Sequence, residues 1–112
     1  MVEHFVFLDC PLRVKRSARA YWADKERRVE RLLATFRPEL RHLRLSLRRH
    51  KTGWEARAVL NIPTATLVAV AAGATWIEAL DMAADRLIAE IRRHVDRLRR
   101  RTHVAHAWPA AI

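Results

Sequence analysis

The sequence predicts an α+β domain: a two-layer sandwich in which a four-stranded sheet carries two helices on one face, in the order β-α-β-β-β-α. Three observations carry this expectation. Two long segments place apolar residues at spacings of three and four, four shorter ones alternate or are rich in β-branched and aromatic residues, and both helical segments have an apolar face that needs a common surface to cover it. A chain of 112 residues suffices for one modest core, so residues 1–101 read as a single domain and 102–112 as a flexible tail.

The first strand is Glu3 to Leu8 (EHFVFL), ended by Pro11. Ala18, Trp22, Val29, Leu32, Leu33 and Phe36 then share one helical face, which predicts helix one over roughly 17–36, with Ser17 as its cap and Pro38 beyond its end. Leu43, Leu45 and Leu47 alternate with His42, Arg44, Ser46 and Arg48, a period of two that gives a strand with one buried and one basic face. His50 to Gly53 supply a turn, after which Trp54, Ala56, Ala58, Leu60 and Ile62 alternate with Glu55, Arg57, Val59 and Asn61. The two strands therefore form a hairpin. Pro63 and Thr64 break the second, and Ala65 to Ala71 reads as a fourth strand of weak alternation, because Val68 and Val70 oppose Leu67 and Ala69. Ile77, Leu80, Ala84, Leu87, Ile91, Val95 and Leu98 set helix two over roughly 75–101. Thr102 to Ile112 has no period and contains Pro109, hence the tail.

Composition narrows the function. Lys and Arg number 22 against 12 Asp and Glu, a formal charge of +10, and most of the cations are arginine. The guanidinium fork matches phosphate oxygens in pairs and stacks on bases, which favours nucleic acid as partner over acidic small molecules. Cys10 is the only cysteine, so neither an internal disulfide nor a cysteine zinc cage can form, as suits a reducing cytoplasm. The start lacks the order of a secretory signal, and no stretch approaches the ~18 apolar residues of a membrane span. A cytoplasmic protein without a membrane partner is expected.

The cations are ordered. At about 100° per residue, Arg86, Arg93, Arg97 and Arg100 fall within about 60° of one another and about 150° from the apolar stripe of helix two. The resulting ridge is about 21 Å long, enough to follow several phosphates. Arg92, Arg99 and Arg101 thicken it. An ion-paired solvated face would explain such a ridge more simply, but Glu90 alone lies near it, with Asp96 able to pair Arg92 and Arg99 on the flank. Helix one adds Arg27, Arg28 and Arg31. The expected RNA-binding residues are Arg28, Arg31, Arg86, Arg92, Arg93, Arg97 and Arg100.

Chemistry of other kinds is not expected. With only Gly53 and Gly73 there is no glycine-rich phosphate loop, and neither Ser17 nor Ser46 stands in a nucleophile motif. Cys10 near His4 reads as structural. Glu78, Asp81 and Asp85 complement the dipole at the start of helix two more simply than they bind metal, and His103 and His106 lack further ligands. No enzyme activity, cofactor, metal or small-molecule substrate is expected. Trp54 and Trp76 read as core or boundary residues, with base stacking open to whichever is exposed.

The segment Gly73 to His94 (GATWIEALDMAADRLIAEIRRH) resembles the ribosome hibernation promoting factor and ribosome-associated inhibitor family, also called sigma-54 modulation proteins. Ala79, Leu80, Asp81, Asp85, Arg86, Leu87, Arg92 and Arg93 occupy the places of that family's helix pattern, Asn61 to Leu67 resembles its strand, Pro, strand passage, and Tyr21, Glu30 and Arg31 resemble its first helix. The likeness covers roughly residues 3–101. Ala74 and Thr75 depart from it where acids are usual, Val68 and Val70 where polar strand residues are, and Glu26 where an apolar one is. The resemblance implies a short-form domain that binds the 30S subunit and the 70S ribosome through 16S rRNA, in the channel used by mRNA and tRNA, and inhibits translation in starved or stationary cells. A general binder of structured RNA outside the ribosome, or a module that regulates another protein, are the alternative expectations.

Overall fold

The leucine and alanine alternation dictates the sheet. In the computed structural model, which describes residues 1–111 and side chains through Arg101, β1 (Val2–Leu8), β2 (His42–His50), β3 (Gly53–Ile62) and β4 (Ala65–Gly73) form one sheet in the order β1-β2-β3-β4. β1 runs parallel to β2, as a strand pair joined through a helical crossover can, and the other pairs are antiparallel. Phe5 aligns with Leu45, Leu45 with Ala58, and Ala58 with Ala69, so one face of the sheet is continuously apolar.

Two helices, α1 (Leu12–Leu32) and α2 (Trp76–Ala111), complete the expected β-α-β-β-β-α order. Their buried residues join the sheet in one core: Val14, Ala18, Trp22 and Val29 from α1, and Ala79, Leu80, Ala83, Ala84, Leu87, Ile88 and Ile91 from α2. Small residues on both sides, Ala56, Ala58, Ala69 and Ala71 on the strands and Ala79, Ala83 and Ala84 on α2, let that helix lie close over β3 and β4. On β1, Phe5 and Phe7 stack at 6.1 Å and the Arg19 guanidinium of α1 covers both rings, 4.9 and 5.6 Å from their centroids. Arg19 is thereby committed to packing.

Element boundaries differ from expectation for identifiable reasons. α1 begins at Leu12, not Ser17: Pro11 takes the N-cap position, its carbonyl accepts from Val14 and Lys15, and Val14 adds a buried position one turn before Ala18. Ser17 is an exposed residue of the second turn, so it caps nothing. The same helix stops at Leu32, and Phe36 lies beyond it in a turn, where its carbonyl accepts both Nε and Nη2 of buried Arg41 at 2.9 and 2.7 Å. An apolar residue packed from that turn continued the helical spacing without the helix. β4 extends to Gly73, two residues past Ala71, because it pairs with the whole of β3 as far as Trp54. Its buried side is Leu67, Ala69 and Ala71, leaving Val68 and Val70 exposed.

α2 starts at Trp76, with Thr75 and Glu78 forming a reciprocal cap: Glu78 N donates to Thr75 Oγ1 (3.2 Å) and Ala74 N to Glu78 Oε2 (2.8 Å). It continues to Ala111, past the expected end at Arg101 and beyond Pro109, which the sequence places in a tail. The flexibility expected of the segment 102–112 falls on residues whose side chains lie outside the described ones. Gly73 is what lets β4 turn directly into this helix. A Cβ there would meet Ala79 N and Glu78 Cβ, each at 2.7 Å, and one on Gly53 would lie 2.5 Å from the Gly73 carbonyl oxygen. Among the described residues, no helix is long and apolar enough to cross a membrane.

Candidate nucleic-acid interface

The two helices run side by side in the same direction. Tyr21 meets Trp76 edge-to-face at 6.0 Å, and Tyr21 Oη donates to Asp81 Oδ1 at 2.5 Å, with Lys25 Nζ 2.9 Å from the same oxygen. Those two donors hold the Asp81 carboxyl below the usual carboxylate range, the tyrosine bond first, and the Tyr21 hydroxyl and Lys25 ammonium are both pushed up by their bond to Asp81. Asp81 is thus a strut between helices, while Glu78 caps α2. No group of three or more metal-ligating side chains occurs among the described residues.

Further along the same seam the polarity reverses. Arg31 and Leu32 of α1 and Arg92, Val95, Asp96 and Arg99 of α2 line a cleft of about 310 Å³. Arg28 stands on the stripe that Tyr21, Lys25 and Leu32 define, at spacings of four, three and four, and so flanks the same seam. Three arginines share this cleft with one acid, and among the described residues no ion pair joins Asp96 to Arg92 or Arg99, contrary to what their spacing suggested. Uncompensated guanidinium groups at this density are suited to phosphate oxygens.

The remaining expected residues lie on the other flank of α2, toward the free edge of β4. Arg86 donates to the Val70 carbonyl of that strand, and Arg93 pairs with Glu90 one turn before it. Both are partly spent on the domain itself. Arg97 and Arg100 are exposed, with no acid partner among the described residues. Arg86, Arg93, Arg97 and Arg100, the expected ridge, thus share the strand-edge side of α2, while Arg92 and Arg99, expected to thicken it, stand with Arg31, flanked by Arg28, on the inter-helix side. His94, on the core-facing side of α2, meets Thr64 Oγ1 at 2.7 Å through Nε2. That contact ties the β3–β4 turn to α2.

Arg99, placed beside the ridge by the sequence but not among the expected RNA-binding residues, lines the cleft with Arg92, seven residues before it on the same stripe. A further basic surface, on the sheet face away from the helices, follows from the alternation of β2 and β3. Arg44 and Arg57 border a depression of about 310 Å³ with Ser46 and Val59. Cys10 is structural: its thiol donates to the carbonyls of Leu8 and Leu47, each at 3.4 Å, and burial pushes its pKa up.

This arrangement of sheet and helices has close counterparts among solved structures. A ribosomal subunit interface protein from Coxiella burnetii superposes with a TM-score of 0.59 at 13% identity, over 86% of this chain and 99% of that one. The N-terminal domain of Thermus thermophilus Protein Y gives 0.59 at 16% identity, over 84% and 99%. The fold is shared with both. The architecture implied by the residues of Gly73 to His94 is thus met along most of the chain. No protein-family model and no curated protein matches the sequence.

Proposed function

We propose that the protein binds the small ribosomal subunit through 16S rRNA and inhibits translation by occupying the channel used by mRNA and tRNA. The observation that carries this reading is the cleft between α1 and α2, where Arg31, Arg92 and Arg99 gather with Asp96 as their one acidic neighbour, on a fold shared with a ribosomal subunit interface protein and with Protein Y. The mechanism is electrostatic and steric. Each arginine that meets a phosphate displaces condensed counterions, which supplies affinity, and a domain seated in the channel excludes the decoding ligands without a chemical step. Such a protein acts in the cytoplasm, in starved or stationary cells.

Arg28, Arg31, Arg92 and Arg99 form the principal contact in this proposal, with Arg97 and Arg100 extending it and Arg86 and Arg93 contributing less. Sedimentation of the purified protein with isolated 30S, 50S and 70S particles through a sucrose cushion at physiological salt tests it. Saturable retention with 30S and 70S, and none with 50S, is the expected result. Equal retention on all three particles would reduce the protein to a nonspecific basic RNA binder, and no retention would remove the ribosome as its target.

A further inference from the structure

Four tryptophans are a high number for a chain of this length, and two of them are only partly buried, packed against the margin of the core. Trp54, at the start of β3, and Trp76, at the start of α2, are half-buried and line the same open cleft of about 480 Å³. Arg13 of α1 and Arg49 of β2 also line it, with Ser17 and Thr75 supplying hydroxyls, and no acidic residue does. The cleft lies at the end of the sandwich where both helices begin. Along α2 it is about 24 Å from Arg92, at about 1.5 Å per residue, so it is separate from the basic inter-helix cleft.

The chemistry of this cleft is specific in kind. The Arg49 guanidinium lies 5.8 Å from the Trp54 ring centroid, a loose cation–π contact, and the Trp76 ring is braced edge-on by Tyr21. Among the described residues neither Arg13 nor Arg49 has an acid partner. Two indoles beside two unpaired guanidinium groups present flat π surface and anion-binding donors within one concavity. A purely apolar ligand would leave both arginines unsatisfied, and a bare anion would leave both indoles unused. A group that is at once planar, aromatic and anionic uses all four.

We infer that the cleft formed by Arg13, Arg49, Trp54 and Trp76 binds a nucleoside phosphate, its base against the indoles and its phosphate on the arginines. The nucleotide is either free in solution or an unstacked residue of a single-stranded RNA, since the recognising groups are the same for both. Gly53 and Gly73 shape the cleft indirectly. Their close approach brings the start of β3 against the start of α2, and with them the two tryptophans.

The test is titration of the intact protein with adenosine monophosphate and, separately, with a penta-adenylate RNA strand. Tryptophan fluorescence and calorimetry follow binding, with adenosine and inorganic phosphate as controls. Saturable quenching by the monophosphate, with adenosine and phosphate each at least about tenfold weaker, is the expected result, and a preference for the strand over the monophosphate would identify RNA as the source. Arg13→Gln alters an exposed residue and Trp54→Leu a half-buried one; each is expected to weaken binding about tenfold, the scale of a lost stacked base, with the circular dichroism spectrum unchanged for Arg13→Gln. No binding by either probe, equal binding of inorganic phosphate, or full binding by Arg13→Gln would overturn the inference. No ribosome enters the assay, so its outcome is independent of the ribosome-binding proposal.

Discussion

Neutralising the inter-helix cleft tests which of the two flanks of α2 meets RNA. The perturbation is the triple variant Arg31→Gln, Arg92→Gln, Arg99→Gln, all at exposed positions, compared with the pair Arg86→Gln, Arg93→Gln. If each cleft arginine neutralises one rRNA phosphate, its loss lowers the slope of log affinity against log salt by about 0.7–0.9, so the triple variant loses about 2–2.7 from that slope. Between about 50 and 200 mM salt, wild-type affinity should then fall about 20- to 40-fold more than that of the variant. The pair should change the slope by less than about 1, because Arg86 is bonded to the Val70 carbonyl and Arg93 to Glu90. Binding to isolated small subunits across a salt series reads both numbers, and urea denaturation confirms that the variants are folded. A pair that moves the slope as far as the triple, or a triple that leaves it unchanged, would refute the division of the surface argued from these contacts.

Three further outcomes are expected. Gly73→Ala should destabilise the domain by about 2 kcal/mol, measured by urea denaturation, although exchanging a glycine usually stabilises slightly where its backbone is compatible; the new Cβ would press on Ala79 N and Glu78 Cβ at 2.7 Å. Glu3 is pushed up to about 8, first by burial and then by its bond to Glu26 and the charges of Glu26 and Glu30. Folding binds a proton that the unfolded chain releases near its ordinary value, so stability should fall as pH rises from about 5 to 8, and Glu3→Gln should flatten that decline in melting temperature. Asp81 has the opposite sign: its lowered pKa contributes stability above the ordinary carboxylate range, lost as acid protonates it. Tyr21→Phe should remove about 1 kcal/mol at neutral pH, a value reduced for the partial exposure of Asp81, and should make the acid-side loss shallower in a pH series of urea melts.

Periodicity alone determined the order of elements and which side of β2 and β3 is wet, because burial on one face imposes a period of two on strands and about 3.6 on helices; for β4, apolar on both sides, the packing decided that Val68 and Val70 face outward. It located Leu43, Leu45 and Leu47 correctly, and it placed the ridge arginines outside the core. It misjudged the ends of α1, where Pro11 could serve as a cap and Phe36 could pack from a turn; local spacing is the same whether or not the backbone stays helical. What the sequence could not supply was the neighbour across each gap. That Arg31 shares a cleft with Arg92 and Arg99, that Arg86 and Arg93 are engaged by Val70 and Glu90, and that Trp54 stands beside Trp76 all depend on how α2 lies over β3 and β4. Charge and aromaticity are properties of residues and are written in the chain, whereas a site is a distance between residues far apart in sequence, and only the packed alanine, leucine and isoleucine surfaces of the sheet and helices decide that distance.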